Sequence, residues 1–196
     1  TVKSSLYAGI TSSTSLDGAA VNFSVVAATF DNLVNIAKSR GTLEKVSLRL
    51  LASSYTHGEE WKDNQYIQAK HYRQLLQITP KEVMELIDRK DESKTLANLT
   101  AYKNDHNNFI YSVFNRTIAF YSMAALDRVE LKRIGNSDIL DISYTSADPG
   151  LTQLTVAFLI EELINAYEIL RFKSTNDVIA YFEEQVRLAK VRLSEE

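Results

Sequence analysis

Polar and apolar residues alternate from the first positions of the chain. Val2, Ser4, Leu6, Ala8 and Ile10 fall on one face and Lys3, Ser5, Tyr7 and Gly9 on the other, a period of two that predicts a β-strand. Residues 11–18 are rich in Ser, Thr and Gly and read as a loop. From about Phe23 the period lengthens to that of a helix. Phe30, Leu33, Val34 and Ala37 form one apolar stripe, which ends at Ser39-Arg40-Gly41. Thr42 is placed to cap a second helix with Leu43, Val46, Leu50 and Leu51 on its buried face.

The middle of the chain, about 59–117, reads as a set of short helices. Residues 65–78 carry Ile67, Leu75 and Leu76 at helical spacing. Thr79-Pro80-Lys81-Glu82 has the form of a capping box: Thr79 would accept from the Glu82 N–H, and Pro80 sits where no N–H is needed. A charged turn over 88–94 follows, then helices over 96–102 and 109–114, separated by a turn-rich stretch at 104–108. Alternation returns at Val129, Leu131 and Arg133, and again at Leu140, Ile142 and Tyr144. Gly135-Asn136-Ser137 between them predicts a hairpin.

Asp148-Pro149-Gly150 opens the last element, because no Gly or Pro occurs from 151 to 196. Val156, Ile160, Leu163, Tyr167 and Leu170 form one helical stripe, and Val178, Phe182, Val186, Ala189 and Leu193 a second. Unbroken, this helix would extend about 70 Å at 1.5 Å per residue, longer than a small domain is wide. Ser174-Thr175-Asn176-Asp177 is a candidate kink. The fold expected is therefore α+β: a small mixed sheet, built from the N-terminal strand and the later hairpin, packed with several helices and a long projecting C-terminal helix. The organisation expected is a base domain over 1–150 with a helical insertion at about 59–117, and the start of the projecting helix over 151–196. The opening in mid-strand and the ending inside a helical pattern read as a piece cut at both ends from a longer protein.

Composition removes several classes of function. The net charge of −3 and the scattered Lys and Arg give no basic stripe for nucleic acid or an anionic membrane surface. Without cysteine there is no disulfide framework, thiolate nucleophile or zinc knuckle. His57, His71 and His106 lie far apart in sequence and lack metal-ligand spacing, so no cofactor or metal is expected. Neither a phosphate-binding glycine loop nor a serine nucleophile elbow occurs. Glu161-Glu162 and Glu183-Glu184 read as solvated charge, with Glu183 and Arg187 an i,i+4 pair, and no catalytic residue is assigned. Trp61, among Glu59, Glu60, Lys62 and Asp63, reads as a loop anchor, with stacking on a sugar ring as the alternative. The N-x-[ST] triplets at Asn22, Asn98 and Asn115 carry no weight.

Asp138-Ile139-Leu140-Asp141-Ile142-Ser143-Tyr144 followed by Asp148-Pro149-Gly150 resembles the end of the sheet in the polysaccharide chain-length determinant family (Wzz-like, also called polysaccharide co-polymerases). Tyr181-Phe182-Glu183-Glu184-Gln185-Val186 is similar to a segment of that family's long helix. Tyr7 to Ile10, and Ile36 to Leu51 with Ser39-Arg40, are similar to its N-terminal part. Ala157 stands where many relatives carry Asn, and 59–117 resembles nothing in the family.

The resemblance implies a periplasmic domain of an inner-membrane protein, joined to the membrane only through segments outside this chain. Family members form homo-oligomeric rings and act with a polymerase to set the length of the O-antigen of lipopolysaccharide, of capsule or of exopolysaccharide. The expected role is thus a non-catalytic scaffold whose partners are further copies and the polymerase, with glycan as a further candidate. The face bearing Tyr181, Gln185 and Leu188 is the candidate subunit contact, with burial against its own base domain as the alternative. A helical adaptor or sensor domain binding a protein partner is the second reading, and a carbohydrate-active enzyme built on the acidic residues the third.

Overall fold

The computed structural model describes residues 1–9, 23–103, 108–116 and 118–169. Three strands, β1 (Val2–Tyr7), β2 (Glu130–Arg133) and β3 (Ile139–Tyr144), form a sheet of order β1-β3-β2. Alternation places Leu140, Ile142 and Tyr144 on the buried face of the central strand, where they oppose Leu6, Ser4 and Val2 of β1. The other face is polar and partly open, and there Ser5 donates to Asp141 Oδ1 at 2.6 Å. The β2–β3 turn places Gly135 at φ +51°, in the left-handed region that favours glycine. Both pairings are antiparallel, which corrects the expected mixed sheet. Alternation specifies which face is buried but not which way a strand runs, so the direction of β1 was not encoded in the pattern.

Among the described residues seven helices lie between β1 and β2: α1 (Phe23–Ala37), α2 (Arg40–His57), α3 (Ala69–Ile78), α4 (Lys81–Met84), α5 (Glu92–Tyr102), α6 (Phe109–Asn115) and α7 (Met123–Leu126). An eighth, α8, occupies 149–169 of the described residues. The architecture is α+β, as expected. The centre is α2, buried on nearly every side from Thr42 to Thr56 and packed most closely on α5 and α7. A helix so enclosed is usually apolar all round. Here small hydroxyls occupy several sites: Ser54 donates locally to Leu50 O at 2.7 Å and Ser47 to the distant Tyr121 O at 2.6 Å, whereas Ser53 Oγ and Thr56 Oγ1 are buried without a partner among the described residues.

Three helix starts differ from expectation. Ser39, not Thr42, caps α2: its Oγ accepts from the Thr42 N–H at 3.3 Å. The helix expected over 65–78 begins only at Ala69, because side chains just upstream and one far downstream capture the amides it would need. Asn64 Oδ1 accepts from Tyr66 and Ile67, Asp63 Oδ1 from Ala69, and Asp148 Oδ2 from Gln68. Thr79 does not cap α4. Its hydroxyl donates back to Leu75 O at 2.7 Å and lies 2.8 Å from Tyr55 Oη, while Glu82 accepts from the Tyr102 hydroxyl.

One apolar core joins the sheet to the helical middle. It runs from Phe30, Leu33 and Val46 through Ile67, Leu75, Leu99 and Val113 to Leu140, Ile142 and Leu151. On α8 the buried line is Leu151, Thr155, Leu159 and Leu163, whereas Ile160 and Tyr167 of the expected stripe are half-buried. Leu163 is the last fully buried residue of α8 among the described residues: Tyr167 packs partly on the core, while Ile164 is 38% and Ile169 66% exposed. The second stripe, the candidate kink and the candidate contacts Tyr181, Gln185 and Leu188 lie outside the described residues. No helix among the described residues is long and apolar enough to cross a membrane.

Candidate functional site

A convergence of buried polar groups lies where α8 begins. β3 ends at Tyr144, and a short turn brings Asp148 beneath the segment that leads into α3. Asp148 is fully buried. Its Oδ1 accepts from the Leu151 N–H at 3.2 Å and its carbonyl from the Thr152 N–H at 2.9 Å, so it is the N-cap of α8. Pro149 follows at the first helical position, where a missing N–H is harmless.

The second carboxylate oxygen turns the other way. Asp148 Oδ2 accepts from the Gln68 N–H at 2.9 Å and from His71 Nδ1 at 2.7 Å. One side chain thus closes the start of α8 and ties it to α3. Gly150 completes the joint, since a Cβ there would come within 2.5 Å of Tyr66 O. The helix end can approach the 65–68 backbone this closely only without a side chain at that position.

His71 forms part of a pocket of about 250 Å³. His71, Gln74, Leu75 and Ile78 occupy successive turns of one face of α3, the i, i+3, i+4, i+7 spacing. Ile118, Phe120 and Tyr121 cover that face from the segment before α7. The His71 side chain is 10% exposed and its ring centroid lies 4.7 Å from that of Phe120. With Nδ1 bonded to Asp148, Nε2 is the acceptor position of the corresponding tautomer, and among the described residues nothing donates to it. Phe120 has φ +71°, the one non-glycine residue with positive φ among the described residues.

Tyr121 is fixed behind this wall. Ser47 donates to its carbonyl at 2.6 Å, and its hydroxyl lies 2.9 Å from Ser54 Oγ. Burial pushes the Tyr121 phenol well above its ordinary range, so it stays neutral. A second pocket of about 280 Å³ lies across residues 118–120, bounded by Ser122, Arg128, Tyr144 and Ser146.

The residues singled out from sequence are mostly elsewhere. His57 lies 2.8 Å from Glu92 Oε2 and stacks on Tyr66 at 4.1 Å, and His106 is outside the described residues. Among the described residues no group of three or more His, Asp or Glu could hold a metal ion. Glu161 and Glu162 are both paired with Arg49, whose guanidinium sits 4.1 Å over the Phe158 ring, and Lys45 lies 3.5 Å from Glu162. They clamp α8 to α2. Glu183, Glu184 and Arg187 fall outside the described residues.

Trp61 was expected to anchor its loop and does not: it is 88% exposed. The loop is held instead by polar bonds, Asn64 Nδ2 to His57 O at 2.7 Å and Asp63 Oδ1 to the Ala69 amide at 2.8 Å. Asn98 and Asn115 donate to Leu86 O and Tyr111 O within the helical region.

Sequence reading named Asp148 only as a helix start and His71 only as an isolated histidine. The Asp-Pro-Gly triplet signals the cap and the tight joint, yet nothing in sequence spacing reveals a partner 77 residues away. Phe120 carried no signal at all. No protein-family model matches the chain, and no match was found among curated proteins or among solved structures.

Proposed function

We propose that this chain is the periplasmic part of a polysaccharide chain-length determinant, acting as a non-catalytic scaffold that assembles with further copies of itself and with a polymerase at the inner membrane. The observation that carries the reading is the course of α8. Its first turn is locked onto residues 65–71 by Asp148 and Gly150, Leu163 is its last fully buried residue and Tyr167 still packs on the core, and the helix continues to 169 with Ile164 and Ile169 open to solvent. A helix fixed at its root with apolar residues beyond the core suits lateral contact with a neighbour. The strand, Asp-Pro and long-helix order on which the resemblance rests is consistent with this arrangement.

Deleting the gene for the full-length protein tests the role directly. The expected result is a changed length distribution of the surface polysaccharide on a gel, and an unchanged ladder would refute the proposal. The 196 residues contain no cysteine, so Ile164→Cys and Ile169→Cys in a full-length protein with any cysteines elsewhere replaced give a second test. Oxidative cross-links between copies are expected in native membranes. Cross-links exclusively to an unrelated protein would instead favour an adaptor that binds a heterologous partner.

A further inference from the structure

We infer that the pocket between α3 and residues 118–121 is a binding site for a small neutral ring compound that donates one hydrogen bond, with His71 Nε2 as its acceptor. Three independent features point there. The first is size and lining. An apolar cavity of about 150 Å³ accommodates benzene. This pocket, at about 250 Å³, is walled mainly by Leu75, Ile78, Ile118 and Phe120 and has room for a larger, bicyclic ring. Ligand sites commonly combine apolar walls with a few placed polar groups.

The second feature is the lone acceptor. His71 is nine-tenths buried, yet Nε2 has no donor among the described residues, while Asp148 fixes the tautomer by holding Nδ1. A ligand N–H or O–H in the pocket supplies the donor that the protein does not offer to this nitrogen. The histidine is held by a carboxylate that is itself locked into the root of α8, so the acceptor is oriented before a ligand arrives. Such preorganisation reduces the entropy lost on binding.

The third feature is strain. Phe120 adopts φ +71°, a conformation costing a bulky L-residue on the order of 1–2 kcal/mol. That backbone sets its ring against His71 and into the pocket wall. Residues held in this way cluster at ligand sites. A ring lying on Phe120 and reaching His71 with an N–H or O–H uses all three features at once. The inference rests on the pocket alone and stands or falls separately from the scaffold role.

The test compares two nearly isosteric probes, indole, which has a ring N–H, and benzofuran, which replaces it with an ether oxygen. Each is titrated into the ¹⁵N-labelled 196-residue chain and followed by NMR. Indole should bind saturably, with the largest shifts at His71, Gln74, Ile78 and Phe120. Benzofuran should bind there about threefold to tenfold more weakly, the worth of one hydrogen bond. His71→Asn, which keeps a donor for Asp148 but removes Nε2, should bring the two affinities together. No saturable binding of indole, shifts that map elsewhere, or equal affinity for the two probes in the unmodified chain would each overturn the inference. The probe comparison needs no variant, so it decides even if His71→Asn fails to fold.

Discussion

Two histidines in this molecule each hold a carboxylate at almost the same distance, His71 with Asp148 at 2.7 Å and His57 with Glu92 at 2.8 Å. Both pairs tie one helix to the start of another, α3 to α8 and α2 to α5. Their surroundings differ. The His57 and Glu92 side chains are each about one-third exposed (33% and 35%), whereas Asp148 is fully buried and also serves a cap and a second backbone amide. In water the first pair has alternative partners on both sides. The buried pair has none, so every donor around Asp148 depends on that one group. Equal geometry therefore does not imply equal consequence, because the cost of loss is set by what remains unpaired afterwards.

The sharpest way to break the comparison is Asp148→Ala. It removes a helix cap, worth about 0.5–2 kcal/mol. It also strands the His71 and Gln68 donors in the interior at about 1–3 kcal/mol each. A loss of about 3–5 kcal/mol is expected, read as a lower midpoint in urea unfolding at unchanged slope. Gly150→Ala attacks the same joint without touching a polar group. The new Cβ meets Tyr66 O at 2.5 Å and, unlike a flexible side chain, that backbone cannot swing aside. About 2–3 kcal/mol is expected, within the range for overpacked sites, again from the urea midpoint. His57→Ala should cost only about 1 kcal/mol, the combined value of an accessible pair and one ring contact. If His57→Ala matched Asp148→Ala, burial would not be what separates the two pairs.

How much of this was legible follows the same line. Local periodicity placed the strands and most helices, since a buried face must repeat along its own element. Leu140, Ile142 and Tyr144 read as one face and are one face. The Asp-Pro-Gly start of α8 was equally plain, because the cap, the missing N–H and the small residue are all consequences of neighbours in sequence. What failed was anything settled at long range. Thr79 had the pattern of a capping residue, but Tyr55 and Leu75 offered its hydroxyl better partners. The helix expected from residue 65 lost its first turn to Asn64, Asp63 and a carboxylate 80 residues away. The pocket was invisible for the same reason: it arises only when α3 meets a segment with no periodicity of its own. Trp61 was misjudged because an aromatic ring usually finds a core, whereas this loop is already held by Asn64 and Asp63.

That exposed tryptophan supplies the smallest and most diagnostic effect. It lies in the loop between the two histidines, on the stretch joining α2 to α3, yet its side chain is almost entirely in water. Were it a hidden part of either His–carboxylate joint, Trp61→Ala would remove a large apolar contact and cost about 3–5 kcal/mol, as for a core tryptophan. With the loop pinned by its own polar bonds, the change should stay within about 0.5 kcal/mol of the unmodified chain in urea unfolding. Fluorescence sharpens the point, because this is the sole tryptophan and an 88% exposed indole should emit near the wavelength of a solvated one. A blue-shifted native spectrum together with a large stability loss would mean that the ring is covered, and the loop between the two joints would then be part of the core rather than a spacer across its surface.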